Sequence, residues 1–471
     1  MALHHYVPQD RLHALRRGAD LPERTEGAAL FADISGFTAL TEALCRTEGE
    51  RRGIESLSQR VNAACDLLIR EVERQGGSVI GFAGDAITCW FDACDGAPSL
   101  RAALAARGMQ RALARFPDLA AKVAVASGAA RRFAVGHPDI QRIDVLAGAT
   151  LARVAVGEGL ALPGEVLIDT ATAQALGLPM AATRGADDGE RFMALEPAVA
   201  LPAPPPLAPA EPAAPLPDAQ ALRPWLLPFV FERETAGQPL FVTDLRPATA
   251  VFVRLTGLDY DQDDHAVATL AALVSRAQQA LQRHGGVLLE LTIGDKGSYL
   301  YGSLGAARVH EDDPARALRA ALAVRQALAG TPLQLQVGVS SGTMRVGGYG
   351  GSTRQSFGAI GDDVNTAARL MGLAQPGEIL ISGRVRQAVA DEFALEARPP
   401  IPMKGKAEPL PVFAVLRAQQ RRAIRLQEPA WSTPMVGREA ETAVLATGVL
   451  AALQGHGRLV SLVAEAGMGK S

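Results

Sequence analysis

The chain has 471 residues, of which 48% are hydrophobic and 21% are charged, and its net charge is −3. This length exceeds one ordinary core and predicts two to three domains. The near-neutral charge gives no basis for binding nucleic acid or an anionic membrane, so a bound anion must be held by a local site. No apolar stretch approaches the ~20 residues that span a bilayer, and the charged residues from Asp10 to Arg24 exclude a signal peptide. With four cysteines that form no C-x-x-C pair, these features predict a cytoplasmic protein without an integral membrane segment.

Two segments of the chain repeat one plan. The apolar strand ALFADISGF precedes an amphipathic helix that ends at Gly76-Gly77, and AVFVRLTGL precedes a helix that ends at Gly285-Gly286. Apolar residues recur at three- and four-residue spacing on one face of each helix: Ile54, Leu57, Val61, Ala64, Leu68 and Val72, then Val267, Leu270, Val274, Ala277 and Leu281. A strand pair, an Ala-rich helix (99–115 and 314–329) and a further strand follow each time. Each copy therefore predicts a ferredoxin-like βαββαβ domain of the α+β class, with helices packed on one face of the sheet.

The predicted boundaries place the first copy at residues 25–197 and the second at 239–417. Residues 198–238 between them are predicted to be a Pro/Ala-rich linker. In the tract from 197 to about 222, the fixed φ angles and missing N–H groups of proline predict a semi-rigid extended spacer without regular helix or sheet. Ahead of the first copy, His4 and His5 lack the further ligands of a zinc site and are predicted to lie in a solvated N-terminus. Two such domains on one chain can pair face to face.

A third segment, residues 430–471, opens with MVGREAE and stops at AEAGMGKS. Its end resembles the phosphate-binding loop G-x-x-x-x-G-K-[ST], with Ala464 in place of the first glycine, and it follows the apolar strand LVSLV. The pattern predicts the start of a signal-transduction ATPase domain. Because the sequence stops at Ser471, the helix whose N-terminus would face the phosphates lies outside it.

Two aspartates of the first copy stand at strand ends. Asp33 ends the strand in FADISGF and precedes a small-residue turn whose N–H groups can cradle phosphate oxygens, and Asp85 lies in GFAGDAITCW, between two strands of a hairpin. Adjacent strand ends bring two carboxylates close together, where they repel unless cations separate them. Mg²⁺ prefers carboxylate oxygens together with substrate phosphates. Each aspartate alone has a second interpretation as an ordinary turn residue.

The second copy lacks both acids. Arg254 stands in the place of Asp33, and Leu300 is matched with Asp85. In exchange, the helix predicted in GAIGDDVNTAARLM carries Asn365 and Arg369, which the i, i+4 spacing places on one face.

The first copy is degenerate at this helix, where Ala149 is matched with Asn365 and Arg153 with Arg369. A solvated helix face would tolerate either polar residue, so neither is decisive alone. Acids in one copy and polar residues in the other nevertheless form a complementary set, which predicts one composite site.

The motifs FADISGFTALTE, GFAGDAITCW, IGDKG and IGDDVNTAARLM resemble those of class III adenylyl cyclases, and most of all the tandem soluble adenylyl cyclases. The resemblance implies two class III cyclase domains paired as an intramolecular pseudo-heterodimer. It implies that Asp33, Ile34 and Asp85 hold two Mg²⁺ or Mn²⁺ ions. It also implies a set of residues that contact ATP: Ser35, Gly36, Phe37, Thr38, Lys122, Lys296 and Ala359. Within these sets Lys296 would read the adenine ring, Asn365 would orient the ribose and Arg369 would neutralise the pentavalent phosphorus.

Two positions depart from the family pattern. Gly358, seven residues before Asn365, has no side chain to accept from the base amino group, although the Lys296 ammonium still favours N1 of adenine. Gly81 occupies the slot where bicarbonate-responsive soluble cyclases carry a lysine. A possible regulatory anion site at Gly81, Arg153 and Arg254 would then depend on Arg153 alone, unless Arg254 swings into the same pocket.

The sequence thus predicts a soluble adenylyl cyclase, monomeric by internal pairing, that converts ATP to cyclic AMP and pyrophosphate by two-metal in-line attack of the ribose 3′ oxygen on the α-phosphorus. The alternatives are a catalytically idle regulatory module of a signalling ATPase and a guanylyl cyclase. A nucleotide polymerase or diguanylate cyclase lacks support, because no GGDEF-type turn is present.

Overall fold

The computed structural model describes residues 3–36, 40, 44, 46–48, 50–185, 189–207, 215–238, 244–294, 297–328, 331, 333–389, 392–402, 409–419, 437–457 and 459–461. The chain divides into two compact units, Met1–Gln419 and Gln420–Ser471. Both copies of the repeat lie in the first unit.

The first copy follows a short helix, α1 (Gln9–Arg16), and builds one sheet. Its elements are β1 (Arg24–Ser35), α2 (Glu50–Arg74), β2 (Ser78–Ala83), β3 (Ala86–Asp92), α3 (Pro98–Leu113), β4 (Ala120–Val135), β5 (Ile143–Ala147), α4 (Ala149–Leu160), β6 (Val166–Asp169), α5 (Thr170–Ala175), β7 (Arg184–Gly185) and β8 (Arg191–Ala194). The strand order is β2-β3-β1-β4-β6-β8-β7, with β5 paired to β4. Strand β1 is therefore central and β2 lies at an edge.

The second copy repeats this sheet after two short helices, α6 (Ala219–Leu222) and α7 (Pro228–Thr235). Its elements are β9 (Asp244–Thr256), α8 (Ala266–Arg283), β10 (Gly286–Gly294), β11 (Gly297–Leu304), α9 (Asp313–Ala327), β12 (Gln334–Gly350), β13 (Gln355–Ile360), α10 (Asp362–Leu373), β14 (Ile379–Ser382), α11 (Gly383–Val389), β15 (Phe393–Ile401) and β16 (Leu410–Ala418). The order β10-β11-β9-β12-β14-β16-β15, with β13 paired to β12, matches the first sheet strand for strand. The predicted α+β class with two paired cyclase-like domains is confirmed.

Helices cover both faces of each sheet, so the prediction that they pack on one face is wrong. Successive residues of β1 point to opposite faces: Leu30 packs in the core with α2 and α3, whereas Ala29 packs with Leu151 and Val154 of α4. In the second copy α8 and α9 cover one face, and α10 packs on the other. Helices α4 and α10 are therefore equivalent, and each lies opposite the main helical layer.

The two copies exchange hairpin arms. The β4–β5 arm of the first copy places Phe133, Val135, Val145 and Ala147 in the hydrophobic core of the second, and Tyr349 of the β12–β13 arm joins the core of the first. The arms are also tied by hydrogen bonds: Gln278 of α8 accepts from the His137 backbone N–H at 2.6 Å, and Asp66 of α2 accepts from the Ser352 N–H at 2.6 Å. This exchange explains why the two copies form one compact unit.

The N-terminal segment and the end of the linker pack together on the second sheet. Leu3, Val7 and Leu12 are buried in one cluster with Trp225 and Phe252, so the prediction of a solvated N-terminus is wrong. Arg11 stacks on Trp225, 4.8 Å from the ring centroid. Helix α6 lies at the end of the tract predicted to be extended, so the exclusion of regular helix is wrong there, and α7 follows in the rest of the linker. The apolar residues of the linker after the proline run supply the buried face.

The second unit contains one described helix, α12 (Glu439–Leu453), none of whose residues is buried. The predicted phosphate-binding loop at 464–471 lies outside the described residues. In the part of the chain that the structure describes, no helix is long and apolar enough to cross a membrane.

Candidate active site

The structure brings Asp33 and Asp85 together as predicted. Asp33 lies near the end of β1 and pairs in register with Ala86, the first residue of β3, while Asp85 lies in the two-residue turn between β2 and β3. The backbone N–H of Ile34 donates to the carbonyl oxygen of Asp85 at 3.4 Å, and the two carboxyl groups are within hydrogen-bonding reach of each other. Sheet register alone therefore fixes the pair.

Burial raises the pKa values of both carboxyls. The pKa of Asp33 is raised to about 7, first by burial and then by the charges of Asp85 and Glu158. That of Asp85 is raised by burial of its carboxyl and by Glu158. Lys122 stands beside Asp33 in the β1–β4 register and forms an ion pair with Glu158 at 3.5 Å. The site is thus an acidic cluster with one compensating ammonium group.

Glu158 was missed by the sequence reasoning. It lies near the end of α4, in the apolar stretch ARVAVGEGL, and its only sequence signal is an acid near the C-terminus of a helix, where the dipole disfavours negative charge. Its ion pair also changes the expectation for Lys122, which must leave Glu158 in order to contact a phosphate.

The residues after Asp33 end strand β1 at Ser35. Ile34 is 1% exposed in the core, and the Ser35 hydroxyl donates to the Ala120 carbonyl oxygen at 3.2 Å. Gly36 has φ +107°, and a Cβ there would lie 2.4 Å from the Asp118 carbonyl oxygen, so only glycine fits. The other two residues predicted to bind the triphosphate, Phe37 and Thr38, lie outside the described residues.

The donor set fits divalent cations that the substrate completes. Among the described residues, no group of three or more His, Cys, Asp or Glu side chains forms a ready metal cage. Two buried carboxyls whose charged forms are disfavoured by desolvation and by the nearby Glu158 gain from a bound cation, and Mg²⁺ characteristically binds one or two carboxylates plus phosphate oxygens. Asp33 and Asp85 would hold such ions together with the nucleotide.

The predicted residues of the second copy lie on α10 and β13. Asn365 and Arg369 are both exposed on one face of α10, while Thr366 and Leu370 beside them are buried. Ala359 is 2% exposed, and its carbonyl oxygen accepts from the Tyr301 hydroxyl at 2.8 Å. Lys296, the predicted adenine reader, lies outside the described residues.

Gly358 lacks a side chain because Tyr349 fills the space. A Cβ at position 358 would lie 2.7 Å from Cε1 of Tyr349. The Tyr349 hydroxyl donates to Oε1 of Glu290 on β10 at 3.1 Å, and the Gly84 N–H, next to Asp85, approaches the same oxygen at 3.4 Å. Burial raises the pKa of Glu290 to about 7. Neither Glu290 nor Tyr349 was singled out from the sequence.

Strand register corrects the counterpart of Asp85. Leu300 pairs with Val253, one residue before Arg254, as Ile87 pairs with Ala32, one residue before Asp33. Leu300 therefore matches Ile87, and its predicted match with Asp85 is wrong. The residue in the place of Asp85 is Ser298, 1% exposed, whose hydroxyl is 2.6 Å from the hydroxyl of Tyr260.

Helix starts correct a second match. Both α4 and α10 follow a glycine cap, Gly148 and Gly361. Counting from these caps matches Asn365 with Ala152 and Arg369 with Val156, so the predicted matches with Ala149 and Arg153 are wrong. The first copy therefore lacks both polar residues.

The residues predicted to form a regulatory anion site have other surroundings. Arg153 donates through Nε to Asp169 at 3.0 Å and through a terminal nitrogen to the Ser127 carbonyl oxygen at 2.8 Å. Gly81 lines a cavity of about 100 Å³ between the two copies, which Glu290 and Arg354 also line. Nε of Arg254 is buried and has no hydrogen-bond partner among the described residues.

The loop after β9 closes the counterpart of the acidic site. A carboxylate oxygen of Asp261 accepts from the Ala149 N–H at 2.8 Å, at the start of α4, where unpaired N–H groups and the helix dipole favour negative charge. Arg131 donates to the carbonyl oxygens of Tyr260 and Asp263, both at 3.2 Å. The protein's own carboxylate thus takes a position that an anion could otherwise fill.

Comparison with known proteins agrees with this architecture. Residues 262–415 match the family described as adenylate and guanylate cyclase catalytic domain. The chain is 22% identical over 444 residues to adenylate cyclase type 10 of Rattus norvegicus. The aligned region covers 84% of this chain and 27% of that protein. It is 30% identical over 105 residues to the receptor-type guanylate cyclase gcy-14 of Caenorhabditis elegans, 22% of this chain and 9% of that protein.

A solved structure shows the same fold across most of the chain. It is described as a class III adenylyl cyclase-like ATP-binding protein from Pseudomonas aeruginosa, with a TM-score of 0.53, 14% identity and coverage of 78% of this chain and 85% of that one. At this identity the likeness establishes the fold alone. The chain spans about a quarter (27%) of the length of the rat relative.

Proposed function

We propose that this chain, whose residues 262–415 form a catalytic domain of the adenylate and guanylate cyclase type, converts ATP to 3′,5′-cyclic AMP and pyrophosphate. The observation that carries the proposal is the convergence of Asp33 and Asp85 at one end of β1, where burial raises the pKa values of both carboxyls and Glu158 raises them further. Such a pair favours bound cations and the phosphate groups that accompany them.

The chain's own residues would divide the work between its two copies. Asp33, Asp85 and the Ile34 backbone would hold two Mg²⁺ or Mn²⁺ ions, which supply charge neutralisation at the phosphates and a lowered pKa at the ribose hydroxyl. Ser35, Gly36 and the following turn would bind the triphosphate through backbone N–H groups. Lys122 would exchange Glu158 for a phosphate oxygen, since both compete for its ammonium group.

Residues of the second copy would act on the sugar, the base and the reacting phosphorus. Asn365 would orient the ribose, and Arg369 would neutralise charge on the α-phosphate, a role worth about 10³-fold or more in phosphoryl transfer. Lys296 and the Ala359 backbone would contact the adenine. Because all of these residues lie on one polypeptide, one chain would suffice.

Two other functions remain as outcomes of the test. The solved structure with the same fold is described as an ATP-binding protein, which favours a nucleotide-binding module without turnover as the second candidate. Gly358 offers no side chain to the base, so a guanylyl cyclase is the third.

The decisive assay incubates the purified chain with ATP or GTP and Mn²⁺ or Mg²⁺ and measures both cyclic products by chromatography. We expect cyclic AMP to dominate and Asp33→Asn to form none. Cyclic GMP as the main product would instead support a guanylyl cyclase. Mn²⁺-dependent ATP binding without either product would support the non-catalytic module.

Internal pairing has its own test. We expect specific activity to stay constant as the enzyme is diluted over about three decades, because both halves of the site share one chain. A steep fall on dilution, together with a concentration-dependent mass by light scattering, would show that separate chains build the site.

A further inference from the structure

The turn that carries Asp85 has little support from its own sheet. It joins β2, the edge strand, to β3, so no further strand flanks it on the outer side. Its first residue, Gly84, has φ +63° and an open space where a Cβ would stand. A geometry suited to metal binding therefore needs support from outside the first copy.

That support comes from Glu290 of the second copy. Oε1 of Glu290 accepts from the Tyr349 hydroxyl at 3.1 Å and lies 3.4 Å from the Gly84 backbone nitrogen, whose N–H points toward it. The second distance is long for a hydrogen bond, so it marks a contact that a small closure of the two copies would tighten. Glu290 is thus joined to the turn on one side and to Tyr349 on the other.

The ring of Tyr349 packs against the same hairpin. It is 3% exposed, and it meets Phe82 of β2 edge-to-face with the ring centroids 5.4 Å apart. Gly358 makes room for this ring, since any side chain there would collide with it. Two residues of the second copy therefore contact two points, Phe82 and Gly84, within three residues of Asp85.

The arrangement is one-sided. Glu290 pairs with Tyr301 on β11, immediately after a β-bulge, and Gly81 pairs with Thr88 on β3 after the matching bulge. The counterpart of Glu290 in the first copy is therefore Gly81, which has no side chain. Among the described residues, Glu290 therefore contacts the turn that carries Asp85, and Gly81 has no side chain to make the reciprocal contact.

We propose that Glu290 and Tyr349 are positioning residues that hold the Asp85 turn from the opposite copy, so that pairing of the two copies sets the geometry of the acidic site. The proposal rests on the proposed function for its consequence in catalysis, but the contact itself can be tested without turnover. Glu290 acts through Gly84 and does not need to touch the substrate.

The test compares Glu290→Ala with Glu290→Gln and Tyr349→Phe in the full chain. Glutamine keeps an oxygen that can accept from both donors, whereas alanine removes it. The matched control is a second Tyr–Glu pair away from the site, in which the Tyr6 hydroxyl donates to Glu234 at 3.2 Å. Glu234→Ala removes the same kind of contact without reaching the acidic site.

Two readouts are measured on each variant. Hydrogen–deuterium exchange of the peptide that spans residues 82–87 reports the turn directly, and we expect Glu290→Ala to speed its exchange about tenfold. The second readout is the Mn²⁺ concentration that gives half-maximal thermal stabilisation in the presence of ATP, which should rise about tenfold as well. The Mn²⁺ concentration for half-maximal activity should rise by the same factor. Glu290→Gln and Glu234→Ala should stay within about threefold of wild type in both readouts, and Tyr349→Phe should fall between.

Each contrary outcome has a definite meaning. The proposal is overturned if hydrogen exchange and Mn²⁺ dependence are unchanged in Glu290→Ala. It is also overturned if the only change is in the KM for the nucleotide or in the ratio of activity with ATP to activity with GTP, because Glu290 would then contact the substrate. If Glu290→Ala does not fold, Tyr349→Phe decides by the same two readouts. A wild type that forms no cyclic product would refute the proposed function, and the exchange result would still judge the contact.

Discussion

The two equivalent ends of β1 and β9 show how a duplicated site diverges. In the first copy Asp33 and Asp85 meet beside Glu158 and Lys122. In the second, the matching positions are Arg254 and the buried Ser298, and the helix α4 that faces them has Ala152 and Val156 where α10 has Asn365 and Arg369. The second site therefore has neither aspartate, and α4 has neither polar residue of α10, while the sheets beneath both sites have the same strand order.

This difference separates what pairing requires from what chemistry requires. The exchanged hairpin arms are kept on both sides, because each buries apolar surface in the other copy's core. The acids are kept on one side only, and the loop after β9 covers the other with Asp261. One chain therefore carries one candidate active site, and the equivalent positions supply built-in controls for it.

The largest expected effect is loss of the acids. Asp33→Asn or Asp85→Asn should lower kcat by at least about 10²-fold, because each removes one charge that offsets bound cations. Asp261→Asn, at the counterpart site, should stay within about threefold of wild type. Initial rates with Mn²⁺·ATP check this, with circular dichroism to confirm folding. Activity above a few per cent in either acid variant would contradict the metal assignment.

The next comparison is between Arg369 and Arg153. The sequence predicted them to be equivalent, and the helix starts show that they are not. Arg369→Ala should lower kcat by about 10²- to 10³-fold with little change in stability. Arg153→Ala leaves Asp169 buried, at 1% exposure, without its ion-pair partner, and should cost about 2 to 4 kcal/mol of unfolding free energy. Urea unfolding and kinetics on both variants decide. A catalytic defect in folded Arg153→Ala would support the predicted match of Arg153 with Arg369.

These outcomes mark what sequence could and could not predict. The repeat, the strand order around Asp33 and Asp85, and the apolar faces of α2 and α8 follow from periodicity and turn residues, and Leu68 and Val274 are fully buried as expected. Matching of positions between the copies failed by two or three residues at Leu300 and Arg153, because register depends on bulges and helix caps that similar letters do not reveal.

Contacts between the copies were beyond the sequence for a different reason. Glu290 and Asp261 each interact with a residue of the other copy, far away in the chain, and an isolated acid in a strand or loop carries no local signal of its partner. The buried N-terminus was missed in the same way: Leu3 and Leu12 are too few to show a periodic pattern, and only Trp225 and its neighbours reveal their use.

A smaller effect is expected in the pH dependence of stability. The pKa of Asp33 is raised to about 7 and that of Asp85 is also raised, so the folded, metal-free protein binds more protons than the unfolded chain above about pH 4. The stability from these groups is full below that pH and is lost as pH rises through 7. Denaturant unfolding in EDTA should therefore show a loss of about 1 to 3 kcal/mol between pH 5 and 8, smaller in Asp33→Asn. Mn²⁺ should oppose the loss at pH 8, and a pH profile identical in wild type and variant would contradict the raised pKa.

The smallest expected effect is the response to bicarbonate, for which we expect less than about twofold stimulation. An anion at the counterpart site needs positive charge to offset its desolvation, yet Arg153 is engaged with Asp169 and Ser127, and Gly81 brings no donor. Asp261 already occupies the N–H group at the start of α4, and its negative charge would repel a second anion. Initial rates against sodium bicarbonate at fixed pH and ionic strength, with chloride as control, measure the response.

Asp261→Asn sharpens the test, because it removes the repelling charge while Arg254 stays in place. A saturable several-fold rise in the wild type that Arg153→Ala abolishes would show that Arg153 leaves Asp169 to bind the anion, and that the counterpart site is open to ligands after all.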